Sequence, residues 1–341
     1  MRVALLGRTR MLYNSIEKII ENGDEIVLIG TCAAAPEYDI REEDLERKAK
    51  ELGVTFFNDV RINSPKITEL MRHSEADVAI SINWLTIIGP EAVSCFQYGI
   101  LNAHCGDLPR YRGNACPNWA ILKGDDSYTI SIHYMEPAEL DSGDILIKKK
   151  YPIDDSTTIT EIYRNMDVEI PYLFCEALKL IKSGRAKGMA QSRNPADSLR
   201  CYPRIPTDSL IDWSESCETI LKNIRASAPP FQGAFCYWND LKIYIYEAKS
   251  KEYPAPCFVY PGQVIVVNKA DKTIEVAARD GIILIRKVYL NNEEYYAADI
   301  IKSTRVRLNY CVQEEVFQLK MKIKELERKV GELCEAKDES K

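Results

Sequence analysis

The chain has 341 residues, 46% of them hydrophobic and 28% charged, a size and composition that suit a protein of about two domains. A net charge of −6 and a pI of about 5.4 argue against the broad basic face that grips a long nucleic-acid backbone. No apolar run approaches the roughly 18 residues that span a bilayer, and eleven scattered cysteines without a C-x-x-C pair point to free thiols in a reducing cytoplasm.

Arg2–Gly7 predicts a first strand, too short for a signal segment. Met11–Glu21 has helical spacing, and Glu25–Thr31 is a second apolar run. Glu42–Leu52 is helix-prone, Val54–Phe57 a short strand and Ile67–Arg72 a helix. Asp77–Ile82 and Gly99–Ala103 are buried strands. This alternation predicts an α/β fold, a doubly wound and mainly parallel sheet. Cys116–Leu122 is a further helix, with Pro117 in its first turn. Tyr128–Met135 and Asp144–Tyr151 are strands joined through a loop carrying Asp141, and Thr158–Ser183 is a long amphipathic helix.

The character changes after Gly184. Small residues and proline between Arg185 and Pro206 suit a linker. A helix over Ser214–Ala226, capped by Ser214, is followed by short β runs. These are Ala234–Trp238, Lys242–Glu247, Gln263–Asn268, Thr273–Ala277 and Gly281–Tyr289, with turns such as Asn239-Asp240 and Pro261-Gly262. Their spacing predicts a small barrel-like domain. The expected domains are 1–184, a linker at 185–205, the barrel-like domain at 206–311 and a helical tail at 312–341.

In the tail, Val316, Leu319, Ile323, Leu326, Val330 and Leu333 recur at alternating steps of three and four. Written as heptads, β-branched residues fill every a position and leucine every d, the preference of a parallel two-stranded coil. Glu315 with Lys320 and Lys322 with Glu327 form attractive flanking pairs. The alternative is a single helix packing its stripe on its own domain. The pattern predicts a homodimer through this tail.

The chemistry concentrates in Leu101-Asn-Ala-His-Cys-Gly-Asp-Leu-Pro-Arg-Tyr-Arg-Gly113. It follows a predicted parallel strand, so Asn102 and His104 fall at the carboxyl edge of the sheet, where α/β folds hold ligands. Two apart, they share one face. An amide, an imidazole and the Asp141 carboxylate are the parts for acyl transfer to an amine. Asn102 and His104 suit the oxyanion, and Asp141 suits the amine's proton and the orientation of His104. Singly, each has a plainer use in a turn or a bonded core. Cys105 and Cys116 read as packed thiols rather than nucleophiles. His73, His104 and His133 are far apart in sequence, and no metal site is expected.

Asn102-Ala-His104, Leu108-Pro-Arg-Tyr-Arg-Gly113, Pro117-Asn-Trp-Ala-Ile121, His133-Tyr-Met135 and Leu140-Asp-Ser-Gly-Asp144 resemble the folate-dependent formyltransferase family. Arg204-Ile-Pro206, Ile211-Asp-Trp-Ser214 and Pro230-Phe-Gln-Gly-Ala-Phe235 resemble the C-terminal domain of its tRNA and aminoarabinose enzymes. The resemblance implies a Rossmann-like formyltransferase domain, 10-formyltetrahydrofolate as donor, and Asn102, His104 and Asp141 as the catalytic set. It implies a folate site at Trp84, Leu85 and Ile88 and at Glu139, Leu140 and Asp144. Gly106 departs from a pattern that often has serine.

The acceptor is expected to be a nucleotide-linked amino sugar. The stretch Cys32–Asp44, where tRNA enzymes of the family carry a basic insertion, is acidic here, which argues against tRNA. The loop Gly7-Arg-Thr-Arg10 precedes a helix whose N-terminus favours an anion. Arg8, Thr9 and Arg10 are therefore candidate phosphate contacts, with Arg110 and Arg112 beside them; Arg112 has the alternative role of tying its loop down. The rival readings are a methionyl-tRNA formyltransferase and a hydrolase of the formyl donor. The resemblance also implies a role in cell-surface glycan biosynthesis in the cytoplasm.

Overall fold

Short apolar runs alternate with amphipathic helices through the first 182 residues, and the chain winds them as a layered α/β unit. The structure, a computed structural model, describes residues 1–137, 139–238, 241–309, 316 and 319–330. In chain order the elements are β1 (Arg2–Gly7), α1 (Arg10–Glu21), β2 (Glu25–Thr31), α2 (Glu42–Leu52) and β3 (Thr55–Asn58). Next come α3 (Pro65–His73), β4 (Val78–Ile82), α4 (Pro90–Val93), β5 (Ile100–His104), β6 (Arg112–Gly113) and α5 (Cys116–Lys123). β7 (Ser127–Tyr134), β8 (Ile145–Pro152), α6 (Ile159–Lys182) and β9 (Arg200–Cys201) follow.

The main sheet has seven strands in the order β3-β2-β1-β4-β5-β7-β8. The first five are parallel, and β7 and β8 are antiparallel additions. Successive side chains of a strand point to opposite faces. Val3 and Leu5 therefore enter one core with Met11, Leu12 and Ile16 of α1 and Phe174 of α6. Ala4 and Leu6 enter another with Ile67 and Met71 of α3. All four β1 residues are fully buried. α6 begins with a capping box, Thr158 accepting from the Glu161 amide while the Glu161 carboxylate accepts from the Thr158 amide at 2.7 Å.

The chain forms two compact units, Met1–Ile205 with Arg225–Phe231, and Pro206–Ile224 with the residues from Gln232 onward. The segment 185–205, expected as a linker, is part of the first unit. Met189 exchanges two backbone bonds with Ile145, at 2.8 and 2.9 Å. Arg200 and Cys201 pair with Arg112 and Gly113, and Tyr202 accepts from the Trp119 indole at 3.0 Å. Small residues and proline gave that stretch a tether's composition, but several of its backbone groups are bonded into the first unit.

The second unit carries α7 (Cys217–Ala226, its last two residues in the first unit), β10 (Ala234–Trp238), β11 (Leu241–Ile245), β12 (Lys249–Lys251), β13 (Val264–Asn268) and β14 (Thr273–Ala277). β15 (Ile282–Ile285), β16 (Lys287–Leu290), β17 (Glu293–Tyr296) and α8 (Ala297–Ile300) complete it. Its strands form two four-stranded sheets, β10-β11-β16-β17 and β12-β15-β14-β13. Both line one core that includes Ile211, Trp213, Ile220, Ile245, Val276 and Ile283. The single strand expected over Gly281–Tyr289 divides at Arg286, and its halves join different sheets. α7 starts three residues later than expected. Asp212 binds both the amide and the hydroxyl of Ser214 in a turn, and Ser216 instead accepts from the Thr219 amide at 3.1 Å.

Residues 316 and 319–330 are helical. Their stripe is exposed: Val316 42%, Leu319 53%, Ile323 54%, Leu326 55% and Val330 58%. Among the described residues, none of the stripe joins the hydrophobic core of the second unit. The Asn239–Asp240 turn, the boundary at 311 and 312, Glu315 and Leu333 lie outside the described residues.

Candidate active site

β5 is where the parallel part of the sheet meets the antiparallel part, and its last residues carry the amide and the imidazole. Asn102 pairs directly with His133 of β7, and His104 with Ser131. Residues opposite one another on antiparallel strands share a face. Asn102, His104 and His133 therefore sit together, and all three are buried. The loop after β7 brings Asp141 back over the two rings. Its Oδ2 lies 3.6 Å from His104 Nδ1 and its Oδ1 lies 3.7 Å from His133 Nε2.

The hydrogen bonds fix the roles of the ring nitrogens. His133 Nδ1 is 2.8 Å from the Tyr134 carbonyl, which can only accept, so Nδ1 carries the hydrogen. Nε2 then accepts from the Asn102 amide nitrogen at 3.1 Å, holding that amide in one orientation. Burial, and then the neighbouring His104, push the His133 pKa down to about 4. His133 is neutral at pH 7 and forms no ion pair with Asp141. His104 Nε2 donates to the Tyr111 carbonyl at 2.6 Å, which leaves Nδ1 on the Asp141 side. A second N–H of Asn102 and the Nδ1 face of His104 are the groups left for a reacting carbonyl oxygen.

Hydrogen bonds from three further residues shape this site. The Gly113 amide donates to Asp141 Oδ2 at 2.8 Å. The Gln191 amide nitrogen donates to the carbonyls of Asp141 and Gly143, at 2.9 and 2.7 Å. Ser131 donates to the Gly106 carbonyl at 2.8 Å. Tyr111 and Asp141 both hold left-handed backbone conformations, with φ of 57° and 49°. Such strain costs about 1–3 kcal/mol and persists where surrounding contacts impose it.

The other sequence candidates distribute as follows. Trp84 and Leu85 lie on the loop after β4. Trp84 meets Phe57 edge to face at 6.2 Å, and Leu85 is 54% exposed. Ile88 is buried in the core against α3 and α4. Glu139, Leu140 and Asp144 are exposed on the Asp141 loop. Thr9 caps α1; its buried hydroxyl has no hydrogen-bond partner. Arg8 donates to the Ala33 and Asn83 carbonyls and stacks on Tyr38. Arg10 is paired with Asp39 at 2.7 Å. Arg110 is exposed. Arg112 donates through Nε and Nη2 to Gln191, at 3.2 and 2.7 Å, and so ties its loop down.

Neither neighbouring cysteine is poised as a nucleophile. Burial pushes the Cys105 thiol up to about 12, and a bond to Cys201 together with burial raises Cys116. No cluster able to hold a metal ion occurs among the described residues. His133 and Gln191 are the participants that sequence reasoning missed. An antiparallel register for Tyr128–Met135 would have placed His133 opposite Asn102. Gln191 stands fifty residues from Asp141, and no local pattern marks it.

Two family profiles match the chain. Formyl transferase covers residues 1–178, and Formyl transferase, C-terminal domain, covers 205–305. The methionyl-tRNA formyltransferase of Geotalea uraniireducens (strain Rf4) is 25% identical over 312 residues, 90% of this chain and 96% of that protein. Among solved structures, the N-formyltransferase from Helicobacter canadensis, in complex with folinic acid and dTDP-3-aminofucose, superposes with a TM-score of 0.61 at 17% identity. The match covers 84% of this chain and 99% of that one. WlaRD, a sugar 3N-formyl transferase crystallised with dTDP and 5-N-formyl-THF, gives 0.61 at 18% identity, over 86% and 98%.

Proposed function

The chain belongs to the formyl transferase family, and from that premise we propose that it moves a formyl group from 10-formyltetrahydrofolate to the amine of a nucleotide-linked amino sugar. The observation that carries the chemistry is the convergence of Asn102, His104 and Asp141, with His133 fixing the Asn102 amide. The acceptor amine attacks the formyl carbon. The free N–H of Asn102 and the Nδ1 face of His104 line the place of the oxyanion, where a fixed donor contributes roughly 3 kcal/mol. Asp141 takes the proton that the amine loses, and that proton passes through His104 Nδ1 to the departing folate nitrogen as the new C–N bond replaces the old one. The exposed apolar side chains of Leu85, Ile87 and Leu140 suit a pterin slot better than core packing does.

Two observations support a sugar nucleotide. Thr9 offers an unpartnered buried hydroxyl at the N-terminus of a twelve-residue helix, a setting that suits a phosphate. In the segment 32–44, Glu37, Asp39 and Glu42–Asp44 supply carboxylates where a nucleic-acid backbone would need cations, and Asp39 already neutralises Arg10. The methionyl-tRNA reading is favoured by relatives such as the Geotalea protein, which align over almost the whole chain. We further assign the protein to a reducing cytoplasm and to a homodimer joined by its tail. Nine cysteines are free among the described residues, and no described helix is long and apolar enough to cross a membrane.

The deciding experiment offers the protein the formyl donor with a panel of nucleotide-linked amino sugars, with charged initiator tRNA, and with no acceptor. A formylated sugar, read by mass, is the expected product. Formyl-methionyl-tRNA alone, with a steep salt dependence, reverses the acceptor assignment. Formate release without any acceptor reverses it to hydrolysis.

A further inference from the structure

We propose that Gln191 is a positioning residue for catalysis, holding the Asp141 loop so that the carboxylate meets His104. The inference rests on the reading above in which Asp141 handles the proton. The Gln191 side chain uses its whole hydrogen-bonding capacity on three residues of the site. Its amide nitrogen donates to the carbonyls of Asp141 and Gly143, at 2.9 and 2.7 Å. Its oxygen accepts from Arg112 Nε and Nη2, at 3.2 and 2.7 Å. Carbonyls demand a donor and a guanidinium demands an acceptor, so the amide has one possible orientation.

The clamp has rigid ends. Arg112 belongs to β6, which pairs with β9 through Arg112 with Arg200 and Gly113 with Cys201. The next residue, Gly113, donates its amide to the Asp141 carboxylate. One short strand thus grips Asp141 twice, at the carboxylate directly and at the carbonyl through Gln191. On the other side Met189, two residues before Gln191, is bonded to Ile145 at the start of β8 in both directions. Between these anchors Asp141 holds φ of 49°, a conformation that a side chain rarely adopts unaided. Removing the amide frees both carbonyls and lets the loop relax away from the rings.

The test compares Gln191→Met, which keeps length and bulk, with Gln191→Glu, which sets a carboxylate against two carbonyls, and with Asp141→Asn. Each is read by kcat, by KM for donor and acceptor, and by melting temperature. The Gln191 variants are expected to lose about 10- to 100-fold in kcat, the scale of loss that a displacement near 1 Å brings, with both KM values within about threefold of wild type. Arg112→Met, which releases Gln191 from its far side, is expected to lose kcat in the same manner and carries the test if either Gln191 variant fails to fold. A kcat within twofold of wild type, or a loss carried by KM alone, overturns the proposal. An Asp141→Asn enzyme with full activity instead overturns the role given to Asp141, so the two failures are separable.

Discussion

Gly106 leaves no room for a side chain beside the His104 ring. A Cβ placed there meets the Tyr111 carbonyl at 2.3 Å and His104 Nε2 at 2.5 Å. Those two atoms form the bond that fixes His104. The serine that the resemblance carries at this position therefore does not fit this chain. Gly106→Ser is expected to cost about 1–3 kcal/mol through overpacking. It should cost roughly 100-fold in kcat by displacing the imidazole. Denaturant unfolding and steady-state rates check the two figures, and a serine variant with wild-type kcat would show that the Tyr111 carbonyl is not what holds His104. The same neighbourhood explains what the sequence could tell. Asn102 and His104 stand two apart at the end of a predicted strand, so alternation alone places them on one face. His133 depends on the register between β5 and β7, and Gln191 on a segment fifty residues from its partner. Neither relation is written in local spacing.

At the scale of elements, buried strands and capped helices were the legible part. β1, β2 and β10 fall on their expected bounds, as apolar runs closed by turns predict. α6 differs by one residue at each end, because its capping box is local. The failures are long-range: the division at Arg286 is set by the two sheets that the halves join, and the bonding of 185–205 by partners far upstream. α6 also carries a carboxylate whose environment makes a measurable claim. Burial raises Asp167 to about 6, against a lowering by Arg10 and a further raise from Asp39. Between about pH 4 and 6 the native state then binds more protons at this site than the unfolded chain. Its stabilising contribution is complete below the unfolded value of 3.8 and is lost as pH rises through about 6. Asp167→Asn is expected to flatten this part of the stability curve and to melt above wild type at pH 8. Melting curves from pH 5 to 8 test it; a variant that melts at or below wild type at pH 8 counts against a carboxylate strained by burial.

For the whole molecule, every residue assigned to the chemistry, from Thr9 to Gln191, lies in the first compact unit, whereas the apolar stripe of the tail lies outside it. The described stripe residues are half exposed and none joins the core of the second unit, which favours a dimer seam over a helix packed on its own domain. The seam would carry Val316, Ile323 and Val330 at a and Leu319 and Leu326 at d. Lys322 stands at g and Glu327 at the following e, an attractive pair across a parallel interface. The run is short of the three to four heptads of a firm coil. The dimer should therefore dissociate on dilution rather than persist at all concentrations. Sedimentation equilibrium of the full chain is expected to give a mass rising from monomer to dimer with concentration. A chain ending at Val312 should stay monomeric and keep its kcat, since no residue of the site is removed. A truncated chain whose mass follows the full-length curve would place the interface elsewhere. A truncated chain that is monomeric but inactive would tie the first unit's activity to assembly.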